Sequence, residues 1–169
     1  MNYEVMIWNP FERFLWGIAI TIALVCAIYF YHISRKRKDL NEKLIMLGLA
    51  GFILGFALSF LFTFFQAFEL PGSFDGYTFM GEYTDNYSFE YFLLAKGSYS
   101  SFAAGSAIFL WVFERLTKLT KYFLSSLYVI ALGIELFALN LTFARMMFNI
   151  LIVGVIILVP LVLYFYTSF

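Results

Sequence analysis

Tyr122-Phe-Leu-Ser-Ser-Leu-Tyr-Val-Ile-Ala-Leu-Gly-Ile-Glu-Leu-Phe-Ala-Leu-Asn140 is a run of apolar and small residues broken once by a carboxylate, Glu135. Runs of this kind belong in hydrocarbon, where an ionisable group is costly and usually has a partner or a task. Reading outward from it, the whole chain fits a lipid solvent. Of 169 residues, 63% are hydrophobic and 13% are charged, against roughly 25% charged in an ordinary soluble domain. Mean hydropathy is +0.85. With 23 Phe and 12 Tyr there are rings for both lipid-facing and interfacial positions. The net charge of zero gives no argument for a nucleic-acid partner. The single cysteine, Cys26, cannot form an intramolecular disulfide.

The expected fold class is an all-α integral membrane protein, a single polytopic domain over residues 1–169 with about five transmembrane helices in one bundle. Span 1 covers about 11–33, with Asn9-Pro10 as cap and first helical position. No basic residue precedes it, so it reads as a retained helix rather than a cleaved signal peptide. Span 2 covers about 44–68 and span 3 about 92–113. From Tyr122 to Phe169 there are 48 residues, which as one helix would measure roughly 70 Å against a core of about 30 Å. The chain must therefore turn, and Asn140–Arg145 is the polar place to do so. That gives span 4 at 122–139 and span 5 at 146–166, the latter kinked at Pro160. Ending at Phe169, the chain is expected to carry no cytosolic appendage.

Charge orients the bundle. Arg35, Lys36, Arg37, Lys38 and Lys43 follow span 1, and Arg115, Lys118 and Lys121 follow span 3. Basic connections mark the cytoplasmic side, so the amino terminus is expected outside and the carboxyl terminus inside. The 69–91 connection holds Asp75, Glu82 and Asp85 but no Lys or Arg, and is read as an outer acidic and aromatic cap. Its acids lack a recognised metal-binding spacing, so no metal is assigned. His32 beside Arg35 reads as a headgroup-level residue. Phe11-Glu-Arg13 and Phe113-Glu-Arg115 hint at an inverted repeat, but three shared residues carry little.

Packing signals sit on two helices. Gly48, Gly51, Gly55 and Ser59 share one face of span 2, and Gly97, Ser101 and Gly105 share one face of span 3. Small residues at helical spacing let helices approach closely in lipid. An antiparallel pair is expected, with the Phe-rich opposite face of span 2 turned to lipid.

Chemistry is sparse. The chain has no His-Glu-x-x-His, no Cys-x-x-Cys and no glycine-rich phosphate loop, so neither an enzyme nor a bound cofactor is expected. One layer stands out. Glu135, Lys96 and Arg145, from three spans, fall at a similar outer-leaflet depth, with Asn140 and Asn149 nearby. An interhelical ion pair of Glu135 with Lys96 or Arg145 is the preferred reading. A polar ligand or proton site under the outer loop is the alternative. The expected function is a non-enzymatic subunit, scaffold or sensor component that meets a membrane partner or a second copy of itself. An oligomeric transporter or channel protomer built on the Glu135 layer comes second, and a lipid-modifying enzyme third.

Overall fold

The computed structural model describes residues 3–68, 89–118 and 121–137, with Ile150 and Gly154. Among them the chain is helical without strands: α1 spans Tyr3–Lys36, α2 Leu40–Phe68, α3 Phe89–Thr117 and α4 Phe123–Phe137. Two stretches, Pro10–Lys36 and Leu40–Gln66, are each 27 residues long with hydropathy of 2.2 and 2.4. At 1.5 Å per residue that is roughly 40 Å, enough to cross a membrane core of about 30 Å with tilt. The 29-residue α3 is as long as α2, but its Gly97–Ser106 segment is rich in small polar residues.

Two helix starts differ from expectation. Tyr3, not Asn9-Pro10, begins α1, and Pro10 lies inside it. An interior proline forfeits one backbone hydrogen bond, whereas starting at Pro10 would leave the preceding residues without any helical bonds. The second difference is α2, which starts a turn early because Asp39 caps it: the Asn41 N–H donates to Asp39 Oδ1 at 3.3 Å. An exposed Arg37–Glu42 ion pair at 3.2 Å decorates the same connection and contributes little by itself.

Each helix packs antiparallel on the next. Trp16 meets Phe60 edge-on at 5.1 Å between α1 and α2. Along α2 and α3, Gly48 lies against Val112, Gly51 against Ile108, Gly55 against Gly105 and Phe62 against Gly97. Glu114 reaches Leu124 at one end of the α3–α4 seam, and Lys96 reaches Leu136 at the other. This serpentine puts both basic connections, after α1 and after α3, at the same end of the described helices.

The Phe-rich side of α2 is outward in part, with Phe56 and Phe65 exposed. Phe52, Phe56 and Phe60 form a ladder that touches Phe102 and Phe109 of α3 and Trp16 of α1. Rings at i, i+4 and i+8 flank the glycine stripe closely enough to be drawn into both seams, so this side is not simply a lipid-facing one. The outermost apolar surface lies elsewhere, on Phe14, Ile22, Val25 and Ile28 of α1 and on Val129, Ile130 and Phe137 of α4.

Candidate functional site

The α3–α4 seam carries two fully buried carboxylates, one at each end. After Thr117 the chain reverses through Lys118, Lys121 and Tyr122, which adopt positive φ of 57°, 47° and 67°. Non-glycine residues rarely hold that conformation, so the turn needs an anchor. Glu114 supplies one. Its Oε1 accepts the Leu124 N–H at 2.7 Å, and its Oε2 accepts the Ser125 N–H at 3.0 Å and the Ser125 hydroxyl at 2.5 Å. These N–H groups belong to the first turn of α4 and have no partner within the helix. A carboxylate from α3 thus caps α4, where the helix dipole also favours an anion. In the sequence Glu114 stands out only as part of the basic connection and of the weak Phe-Glu-Arg repeat. Its sole advance signal was an acid shortly before a Ser-Ser pair that opens a helix.

From that anchor Leu124, Tyr128, Ala131 and Glu135 line one stripe of α4. They face Ala103, Ala107 and Leu110 of α3, and the three alanines let the two helices approach. Glu135 ends the stripe with no exposed surface, and neither carboxyl oxygen has a hydrogen-bond partner. An ionised carboxylate left that way costs several kcal/mol.

Lys96 comes close without pairing. Its ammonium donates to the Leu136 carbonyl at 3.0 Å and lies 4.6 Å from the centre of the Phe92 ring. Among the described residues there is no Lys96–Glu135 ion pair. Ser100 Oγ is buried and unpartnered as well. Of the expected layer, the structure thus brings Lys96 to the carbonyl of the residue after Glu135. Arg145, Asn140 and Asn149, and the outer acids Asp75, Glu82 and Asp85, lie outside the described residues.

The α2–α3 seam binds its own polar groups. Ser98 Oγ is 2.9 Å from both Ser59 Oγ and Thr63 Oγ1, and Thr63 also donates to the Ser59 carbonyl at 3.0 Å. Ser101 donates back to the Gly97 carbonyl at 2.7 Å. At the crossing point, a Cβ on Gly55 would fall 2.6 Å from the Ser101 carbonyl oxygen and 2.7 Å from Gly105 Cα. Both obstacles are backbone, which is why glycine stands there. Among the described residues no group of three His, Cys, Asp or Glu converges as metal ligands would.

Compared with models of known protein families, with curated proteins and with solved structures, the chain has no match.

Proposed function

We propose that the chain is a multi-span helical membrane protein of about five spans. On this reading it acts as a non-enzymatic subunit, scaffold or sensor component, assembling through its helix faces with a membrane partner or a second copy of itself. The observation that carries the reading is polarity turned inside out. Outward positions on α1 and α4 are large and apolar, including Ile28 and Phe137. Inward positions bond helix to helix, as Ser59–Ser98 and Glu114–Ser125 do. In water, apolar faces of that extent would drive association; in lipid they are ordinary surface. The basic connections at one end support a cytoplasmic location for that end by the positive-inside rule. That puts the segment between α2 and α3 outside. The test is purification of the full chain from alkali-washed membranes in mild detergent. Integral behaviour with a mass above the monomer, or a stoichiometric co-purifying protein, supports the reading. A homogeneous monomer with nothing bound overturns the subunit role.

A second reading, a transporter or channel protomer, is favoured by one specific observation: Glu135 is buried with both oxygens unpartnered while Lys96 bonds elsewhere. On that reading Glu135 marks a working polar site rather than a packing device. Proton or monovalent-cation flux into vesicles holding the chain, lost in Glu135→Gln, supports it. Flux no greater than in empty vesicles sinks it.

A further inference from the structure

A groove of about 530 Å³ opens along the outer side of the α3–α4 seam, lined by Ile108, Trp111, Tyr122, Ser126, Val129 and Ile130. Its size falls within the range of roughly 300–1,000 Å³ typical of small-molecule sites. The trough exists because its remaining lining residues, Ala107 and Ser125, are small, and because Ser125 is held back by Glu114. Along α4 it runs from Tyr122 to Ile130, roughly 12 Å at 1.5 Å per residue. It is an elongated apolar slot parallel to the helices.

Its two ends differ in chemistry. Val129 and Ile130 close the deeper end with aliphatic surface. Trp111 and Tyr122 form the other end, and these residue types prefer the boundary between hydrocarbon and headgroups. Cations cluster at that boundary. Arg115 lies over the Trp111 ring with its guanidinium 5.4 Å from the ring centre, and Lys121 directly precedes Tyr122. Arg115, Lys118 and Lys121 are exposed and form no ion pair among the described residues, whereas Arg37 at the other basic connection pairs with Glu42. Glu114, the nearest acid in sequence, has its carboxylate turned onto α4. Among the described residues no acid neutralises the positive charge at the groove mouth.

The geometry points to a binding site for one anionic phospholipid of the leaflet at the basic end. An acyl chain lies in the slot between α3 and α4, and the phosphate meets Arg115 and Lys121. A free anion would leave the slot unused, and a zwitterionic lipid would gain less from the cations. This assignment rests on the membrane reading above but goes beyond it.

The test uses the full chain in mild detergent, stripped of lipid and titrated with phosphatidylglycerol or phosphatidylcholine of matched chains. Native mass spectrometry reads the bound lipid. The expected result is a preference for phosphatidylglycerol on the order of tenfold, from two cations near the phosphate. Arg115→Gln with Lys121→Gln removes the preference while helical circular dichroism is unchanged. Val129→Trp fills the slot and lowers retention of both lipids. Glycerol 3-phosphate, a headgroup without chains, does not compete. Equal retention of the two lipids by the unaltered chain, or competition by glycerol 3-phosphate, overturns the assignment. A photo-crosslinker at Val129 that captures a second copy of the chain instead of lipid also overturns it. Integration is scored separately by alkali washing. A chain that stays in the membrane without a lipid preference refutes only the lipid site, and a chain that washes off refutes the membrane reading too.

Discussion

Glu114 and Glu135 are 1% and 0% exposed, yet they differ in what surrounds their oxygens. Glu114 accepts two backbone N–H groups and a hydroxyl, so removing its carboxylate leaves buried donors without partners. Glu114→Ala should destabilise the fold by on the order of 3 kcal/mol, while Ser125→Ala, which deletes one hydroxyl contact, should cost about 1 kcal/mol. Thermal unfolding in detergent reads both. Hydrogen exchange at the Leu124 and Ser125 amides should accelerate only in the Glu114 variant. Glu135 has no such bonds to lose. Replacing an unpartnered buried polar group with an apolar one of similar size is neutral or stabilising, so Glu135→Leu should raise stability by about 1–2 kcal/mol. A clear loss of stability would mean that Glu135 has a structural partner after all, as the sequence-based ion-pair reading expected. The burial of Glu135 could be read from its apolar neighbours. The choice Lys96 makes between a carboxylate and the carbonyl one residue on could not, because it turns on a small difference in side-chain reach. Glu114 was harder still, since its main partners are backbone amides that have no signature in sequence.

At the scale of helices, the α2–α3 seam is set by two glycines that meet backbone to backbone. A methyl group at Gly55 has nowhere to go, because the Ser101 carbonyl and Gly105 Cα cannot rotate aside. Gly55→Ala should therefore cost about 1–3 kcal/mol, as overpacking does, and should weaken the Ser59–Ser98–Thr63 contacts by pushing the helices apart. Gly133 is the control, since a Cβ there meets nothing within 4 Å. Gly133→Ala should be tolerated and favour the helix by up to about 1 kcal/mol. A comparable loss in both variants would show that glycine acts through backbone flexibility rather than close approach. This seam was legible in advance because small residues at helical spacing have few other uses in lipid. The Phe ladder was less so: Phe52, Phe56 and Phe60 lie beside the stripe, and only the lean of the helices decides whether rings meet lipid or one another. The start of α1 was misread for a related reason. Proline at position 10 fits a first turn by local preference, but the residues before it are helical too.

At the scale of the molecule, the alternation of helix direction makes a prediction about sides that no single seam can make. The connections after α1 and after α3 share one end, so Asp39→Cys and Lys118→Cys in a Cys26→Ser background should react with a membrane-impermeant maleimide from the same face. On the proposed orientation, which rests on their charge, that face should be the cytoplasmic one. Ser73→Cys, in the connection between α2 and α3, should react only from the opposite face. Opposite labelling of Asp39→Cys and Lys118→Cys would break the serpentine, and shared labelling from outside would reverse its orientation. The number of spans turns on the same measurement. Because α4 runs from the basic end toward the Lys96–Leu136 end, the chain beyond Phe137 starts from the far side. Five spans then require Thr167→Cys to label from the cytoplasmic face, together with Asp39→Cys and Lys118→Cys. If it labels with Ser73→Cys instead, the chain crosses four times, and Asn140–Arg145 is not a turn between spans. Length and apolarity make two membrane-length helices, α1 and α2, legible in the sequence, while crossings by α3 and α4 are part of the proposal that these labels test. The fifth crossing rested on the mismatch between roughly 70 Å of helix and about 30 Å of hydrocarbon, a constraint that a return to the outer surface without crossing would also satisfy. The Thr167 label separates these two outcomes by sidedness alone.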